Sequence, residues 1–481
     1  GDSLSAEALR RSSSTGPARL GQLEKSEGRM KRLFLEADEL AQWHGPHGPH
    51  ELWSDHGAGL LVTIANEQGY PVNVLSLKAM HSWAELRMRL KGYDVLVMNV
   101  RSWRYIYATR AAEIFKSVNP DGQVWVGGMH TTVCPQEMAA VPQFDVIVSG
   151  QGEGTWIDLL TAGGSQERVL KGHVGPYANM DDLPWIDREK AWPNTGLPQF
   201  PLEGSGGWGP GKTAATLITS RRCVYKCSFC YPAEEKHFGL PRRRSVDNVL
   251  GEIEYIEKRW GDFSSIVFHD SEWLMYKPWL EEFLERYPRE TKNRPFWSSC
   301  RADLLLRWKD LAERIIRECN WHCISIGLES NSQKVLDIMN KGTTVEQNNA
   351  VIEFINALGD DMAAKGQRPP VIFANVMLAT PGEEPEDAFE TVRMLGRIKR
   401  CLPSISWFTP YPGSALGDKI IAEGRSLDTH KRYLRFPNEA KVAGVNYQFY
   451  VDLANGKYDR ETGVNMRALM ARQGAGVEAL V

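Results

Sequence analysis

Three cysteines spaced Cys223-x3-Cys227-x2-Cys230 follow directly on the apolar, β-branched run 214–218, and this juncture constrains the chain more than any other stretch. Such a run reads as a strand, so the cysteines sit on the loop leaving a strand's carboxyl end, where α/β folds place their sites. Three thiolates at this spacing can hold three corners of a [4Fe–4S] cube while the fourth iron stays open to another ligand. A zinc site or a set of buried thiols are the alternatives. Structural zinc takes four ligands, and the nearest further donors are His237 and, much later, Cys300.

The strand-then-helix pattern runs through the chain twice. In the first run, strands are predicted at 32–37, 71–77, 94–100, 123–126 and 144–148, with helices at 57–68, 83–90, 107–118, 135–141 and 154–160. Five buried-type strands alternating with helices predict a parallel, doubly wound, Rossmann-like sheet. In the second run, strands at 214–218, 265–269, 296–299, 323–328, 371–378 and 404–408 are separated by helices. That pattern predicts an open, partial (β/α)6 TIM-type barrel with its site at the carboxyl ends of the strands. The fold class is therefore α/β with two cores, as 481 residues require. The predicted boundaries are a polar tail over 1–30, a sheet domain over 31–161, a Gly-, Pro- and Trp-rich linker over 162–213, the barrel over 214–425 and a C-terminal segment over 426–481.

With 57 basic and 60 acidic residues the net charge is −3, so no overall field favours nucleic acid or an anionic membrane. No apolar run reaches the roughly 18 residues of a spanning helix, and no charged-then-apolar leader is seen. Of eight cysteines only three cluster, which is not a disulfide framework. These features predict a cytoplasmic protein without a membrane or nucleic-acid partner.

The Cx3Cx2C loop resembles the radical S-adenosylmethionine (SAM) superfamily. That resemblance implies that the open iron chelates SAM and that Phe229 lies against its adenine. The strand ends are polar: His269-Asp270-Ser271-Glu272, Ser298-Ser299-Cys300-Arg301 and Gly327-Leu328-Glu329-Ser330. SAM presents a cation, a carboxylate and a ribose, for which acids, a hydroxyl and an arginine are the matching types. Singly, each of these residues reads equally well as a cap or a surface ion pair. The resemblance assigns Asp270 to the SAM amino group, Ser299 and Arg301 to its carboxylate side, and Glu329 to the ribose or methionine end. The runs Met339-Asn340-Lys341-Gly342, Pro381-Gly382-Glu383 and Pro410-Tyr411-Pro412-Gly413-Ser414 are also similar to that family.

In the first domain the informative loops are Asn99-Val100-Arg101-Ser102, Gly127-Gly128-Met129-His130-Thr131-Thr132 and Gly150-Gln151-Gly152-Glu153. Paired glycines allow close backbone approach to a ligand, although a lone glycine loop is more often a tight turn. Together, ahead of a Cx3Cx2C barrel, they resemble the cobalamin-binding domain of cobalamin-dependent radical SAM enzymes over roughly 32–160. The resemblance implies cobalamin contacts from Asn99, Ser102, Gly127, Gly128, His130, Thr131, Gly150 and Glu153, and departs at Gln151, where many relatives carry an acid. The Asp-x-His-x-x-Gly motif that supplies a lower axial histidine is absent, since Asp55-His56-Gly57-Ala58-Gly59 has the wrong spacing. The dense histidines of 42–50 read as a metal site or, more plainly, as a solvated loop near the corrin's lower face.

The resemblance as a whole implies a methyltransferase using a [4Fe–4S] cluster, SAM and cobalamin. It would move a methyl group through methylcobalamin to an unactivated carbon, or phosphorus, of a small-molecule or peptide substrate by way of a 5′-deoxyadenosyl radical. A monomer served by an external flavodoxin- or ferredoxin-type donor is expected. Ring contraction, cyclisation or oxidation without methyl transfer is the alternative among enzymes, and a non-catalytic cobalamin- or zinc-binding module is the alternative of another class. No residue is identified as the catalytic acid or base.

Overall fold

The computed structural model describes residues 30–41, 55–192, 213–230, 239–433 and 439–473. The histidine-dense loop 42–50, the glycine run of the linker and His237 lie outside the described residues.

The first sheet comprises β1 Arg32–Glu36, β2 Val72–Ser76, β3 Val95–Asn99, β4 Gln123–Gly127, β5 Val146–Ser149 and β6 Val169–Lys171. Its order is β2-β1-β3-β4-β5-β6 and every pairing is parallel. Alternate side chains feed two cores. Phe34, Val97 and Trp125 pack under helices His56–Glu67 and Glu153–Ala162, while Leu35, Met98 and Val126 pack under Trp83–Arg89 and Tyr105–Val118. This is a doubly wound sheet whose strand order reverses between β1 and β3, so ligands are expected beyond Glu36 and Asn99.

The second sheet runs β7 Ala214–Leu217, then β10 Ser265–Phe268, β11 Phe296–Arg301, β12 Trp321–Glu329, β13 Val371–Leu378 and β14 Cys401–Trp407, again all parallel. Between β7 and β10 a short antiparallel ribbon, β8 Ser220–Arg221 and β9 Arg242–Arg243, brackets the cysteine loop. β7 and β14 end the row unpaired with each other, so the barrel is open. The helix-facing side carries the main core, including Phe268, Trp273, Phe283, Phe296 and Trp321. The lumen is apolar only at its base, where Ala214, Val267, Cys323, Val371 and Leu402 meet Trp297 and Phe373.

Two departures from the sequence reading concern the segment taken as a linker. β6 extends the first sheet to six strands, and helix Arg188–Ala191 packs against helix His56–Glu67, with Arg188 fully buried and donating to the Thr216 carbonyl at 2.7 Å. β6 is three residues long and partly exposed, so it carries no periodic signal. At the other end, helix Met466–Gln473 packs along β14. The Gln473 amide pairs with both the N–H (3.4 Å) and the carbonyl (3.3 Å) of Ile405, covering part of an otherwise unpaired strand edge. No helix among the described residues is long and apolar enough to cross a membrane.

Candidate functional site

The cysteine loop is pinned from outside itself. Ser228 donates through its N–H to the Met339 carbonyl (2.8 Å) and through its hydroxyl to the Ile338 carbonyl (2.9 Å). Asn340 donates to the Lys226 carbonyl (2.7 Å), and the Leu416 N–H donates to the Ser228 carbonyl (2.7 Å). The Met339-Asn340-Lys341-Gly342 run therefore sets the shape of a loop more than a hundred residues earlier. Cys223, Cys227 and Cys230 are free thiols, half-buried. Burial, followed by the neighbouring sulfurs Cys227 and Cys223, pushes Cys230 up to about 12, and burial raises Cys223 as well. Thiols in this state become ligands when a metal supplies the compensating charge.

Ligands of one tetrahedral zinc, at about 2.3 Å from the ion, lie within about 4 Å of each other. Among the described residues the only His, Cys, Asp and Glu trio with ligand atoms within 4.8 Å of one another is His130, Cys134 and Glu137. The three loop sulfurs do not all lie within that distance of one another. At the tighter trio, Lys431 already pairs with Glu137, so an ammonium holds the cation position.

Around the loop lie the residues assigned to SAM. Asp270 is buried and fully engaged: it accepts from the Thr219 N–H (3.2 Å), the Thr219 hydroxyl (3.0 Å) and the Ser220 hydroxyl. Two residues on, Glu272 accepts from the Leu274 N–H (2.9 Å) through Oε1, and its buried Oε2 has no hydrogen-bond partner. Burial pushes its carboxyl up to about 7, against Arg301 and Lys341. Ser299 is half-buried and, two residues from Trp297 of the lumen cluster along the same strand, lies on the lumen face. Arg301 donates to Asp303, to the Lys341 carbonyl and toward Cys227 Sγ. Glu329, at a left-handed φ of 61°, is paired with Lys341 at 3.0 Å in a site where both are buried. A Cβ on Gly327 would stand 2.7 Å from both Glu329 Oε1 and Lys341 Nζ, so any side chain there would push the pair aside. Phe229 packs on a cluster with Val335, Met339, Met377 and Phe408.

A cavity of about 430 Å³ joins the two sheets. From the first domain Asn99, Gly127, Gly128, Gly150 and Glu153 line it, as do Thr132 and an apolar set with Phe34, Leu60, Val97, Trp125 and Trp156. From the barrel come Ser220, Arg221, Arg222, His269 and Ser271. Ser102, His130 and Thr131 do not line it. His130 is fully buried behind the loop, with Nδ1 3.2 Å from Ser102 Oγ, Nε2 3.3 Å from Glu137, and the Tyr433 ring across it. Thr131 donates to the Gly127 carbonyl at 3.1 Å. Thr132 takes the cavity position and accepts the Gly150 N–H at 2.9 Å.

The cavity walls are held by charge pairs that patterns of spacing do not reveal. Arg104, fully buried, binds Asp55 (2.7 Å), Glu36 (3.1 Å) and Asp38 (3.1 Å), joining the ends of β1 and β3 to the start of helix His56–Glu67. Burial works to raise Asp55, but the Arg101 and Arg104 guanidiniums hold it well below the usual carboxylate range. Asn99 donates to both Asp55 oxygens, at 2.9 and 3.0 Å. Across the cavity Arg221 pairs with Glu153 and reaches Gln151, which also accepts from Arg242. A glutamine at 151 thus joins two arginines of the barrel side. His56 Nε2 lies 2.9 Å from Thr216 Oγ1 and its ring is 5.7 Å from that of His269. Burial pushes His269 down to about 3 and His56 well down too, so both imidazoles are neutral.

Residues 217–395 match the sequence profile of the radical SAM superfamily. An uncharacterized methyltransferase of Pyrococcus horikoshii is 25% identical over 387 residues, which is 78% of this chain and 80% of the relative. The anaerobic magnesium-protoporphyrin IX monomethyl ester cyclase of Rubrivivax gelatinosus is 27% identical over 336 residues, 65% of this chain but only 56% of the cyclase. The structure of the radical SAM methyltransferase TsrM of Kitasatospora setae, with cobalamin and a [4Fe–4S] cluster bound, superposes with a TM-score of 0.56 at 15% identity, covering 82% of this chain and 78% of that one.

Proposed function

From a radical SAM domain over residues 217–395, set in the fold of a cobalamin-binding radical SAM enzyme, we propose that this chain is a cobalamin-dependent radical SAM methyltransferase. The supporting observation is the cavity shared by the carboxyl-end loops of the first sheet and the strand ends of the barrel. When bound, the cluster with SAM supplies an adenosyl radical and cobalamin supplies a transferable methyl group.

The chain's own residues then have separable tasks. Cys223, Cys227 and Cys230, as thiolates, hold three irons. The buried Glu272 carboxyl lies close enough to Cys223, Arg301 and Lys341 to act on them, so it takes the SAM ammonium, while Asp270 shapes the loop by gripping Thr219 and Ser220. Ser299 offers a hydroxyl to the carboxylate side from the lumen, and the Glu329–Lys341 pair borders the methionine end. Gly127, Gly128, Gly150 and Glu153 present backbone and a carboxylate to the corrin. The apolar slot beneath Trp125 and Trp156 takes an apolar extension of that cofactor and keeps water out. The acceptor is an unactivated carbon, or phosphorus, of a small molecule or peptide, and an external low-potential protein supplies electrons.

The Rubrivivax relative, a cyclase, favours a second reading in which the same parts drive a radical reaction without methyl transfer. Anaerobic reconstitution with cobalamin, reductant and SAM carrying a deuterated methyl group tests both. The first reading expects about four irons and four sulfides per chain, one cobalt, release of 5′-deoxyadenosine, and label on cobalamin. Cleavage without label on cobalamin selects the second reading, and zinc without sulfide overturns both.

A further inference from the structure

Arg301 is locked with one edge toward the cysteine loop. Its Nη1 lies 3.6 Å from Cys227 Sγ, within hydrogen-bond reach of sulfur. Its Cζ lies 3.6 Å from the centre of the Tyr225 ring, which belongs to the same loop. Nε and Nη2 donate to the two Asp303 oxygens at 2.9 and 3.3 Å, and Nη2 also donates to the Lys341 carbonyl at 2.7 Å. The side chain is 6% exposed. Four of the five N–H donors are thereby engaged, which leaves one, on Nη1, and turning the side chain away would break the Asp303 fork. The nearby second cation, Lys341, is committed to Glu329.

A guanidinium fixed against a cluster sulfur has a defined electronic effect. Hydrogen bonds to the sulfurs and exposure to solvent set the potential of iron–sulfur clusters, and a charged donor is about twice as strong as a neutral one. Reduction adds one negative charge to the cluster and its thiolates, so the donor stabilises the reduced form more than the oxidised one. We propose that Arg301 tunes the reduction potential of the cluster held by Cys223, Cys227 and Cys230, raising it toward that of the donor, and that it is not a ligand for the SAM carboxylate. The step it assists is a one-electron transfer from a low-potential donor of the flavodoxin or ferredoxin class. The donor is oxidised by one electron, the cluster is reduced by one, and no bond or proton changes place. The inference rests on the proposed cluster ligands.

The test is an anaerobic redox titration of the reconstituted full chain, followed by the paramagnetic signal of the reduced cluster, for the parent and for Arg301→Gln, Arg301→Lys and Tyr225→Leu. Loss of one charge-assisted bond to sulfur is expected to make reduction roughly tenfold less favourable in Arg301→Gln, a midpoint lower by about 59 mV for a one-electron couple. Arg301→Lys keeps the charge but not the fork, and Tyr225→Leu releases the stacked guanidinium, so both fall between the parent and Arg301→Gln. The SAM-induced change in the signal should titrate within about twofold of the parent in all three. An unmoved midpoint with weakened SAM binding overturns the inference. If Arg301→Gln fails to hold a cluster, unshifted midpoints in the other two variants overturn it instead. A parent that shows no [4Fe–4S] signal overturns the cluster assignment itself.

Discussion

Glu383 couples the loop after β13 to the C-terminal segment, and its ionisation gives that contact a pH dependence that can be worked out. Oε2 accepts from the Tyr450 hydroxyl at 2.8 Å and from the Thr380 N–H at 3.3 Å, while the buried Oε1 has no partner. Burial raises the carboxyl from the ordinary 4.5 to about 7, against the lowering effect of the Tyr450 hydroxyl. Between those two values the folded chain holds a proton that the unfolded chain has released. Stability is therefore greatest below the unfolded value, falls as pH rises through this window, and levels off above about 7. At 1.36 kcal/mol per pH unit, the whole window is worth about 3 kcal/mol.

A two-domain protein of this size does not unfold in one step, so the readout must be local. Hydrogen exchange of helix Tyr447–Ala454, which carries Tyr450, meets that need. Corrected for intrinsic rates, its protection should drop by up to about a hundredfold between about pH 5 and about pH 8. Glu383→Gln mimics the neutral acid and keeps the Tyr450 contact, so its protection should stay at the low-pH level across the range. Parallel profiles for the two proteins would refute the reasoning, because the pH effect would then belong to other groups.

Gly128→Ala should abolish cobalamin retention through gel filtration while leaving iron and sulfide in the barrel unchanged. Gly128 has φ 107°, and an added Cβ would fall 2.0 Å from Asn99 Oδ1 and 2.9 Å from the Val100 backbone N and O, which cannot yield. Glu272→Gln should weaken SAM binding roughly tenfold or more, from loss of a charge-assisted contact, with little change in thermal stability. Asp270→Asn should do the reverse, lowering the melting temperature because one accepting carboxylate oxygen becomes an amide NH2, which cannot accept from Thr219 or Ser220. Both are read by titrating SAM against the reduced cluster signal and by calorimetry. Lys341→Met should cost about 3–5 kcal/mol of barrel stability, measured by denaturant unfolding, because it leaves the buried Glu329 carboxylate without its cation.

What could be read from residues alone followed from period and local chemistry. Alternating apolar runs place both sheets because burial on two faces demands continuous Val, Ile and Leu segments, and eleven of the twelve strands of the two six-stranded sheets carry that signal. β6 does not, since a short, exposed edge strand buries too little to need a pattern. The spacing of Cys223, Cys227 and Cys230 was legible because it is local, and the three half-buried thiols share one loop pinned by Ile338, Met339 and Asn340. Gly127, Gly128 and Gly150 were legible as loops at strand ends, and they line the cavity. Direction was not legible: in the short helix after β4, His130 and Thr131 turn inward whereas Thr132 faces the cavity, and one residue of rotation decides it. Nor could sequence order choose between Asp270 and Glu272. Both are acids two positions apart, and only the neighbouring Thr219 and Ser220 hydroxyls consume the first and leave an oxygen of the second unpaired. The chain by itself determined which segments are strands and which cysteines share one loop, because those depend on neighbours in sequence. The tertiary structure decided which buried charges face each other, as with Arg104 among three acids and Arg301 against Cys227, because low-dielectric pairing depends on distances that close only once the sheets are packed.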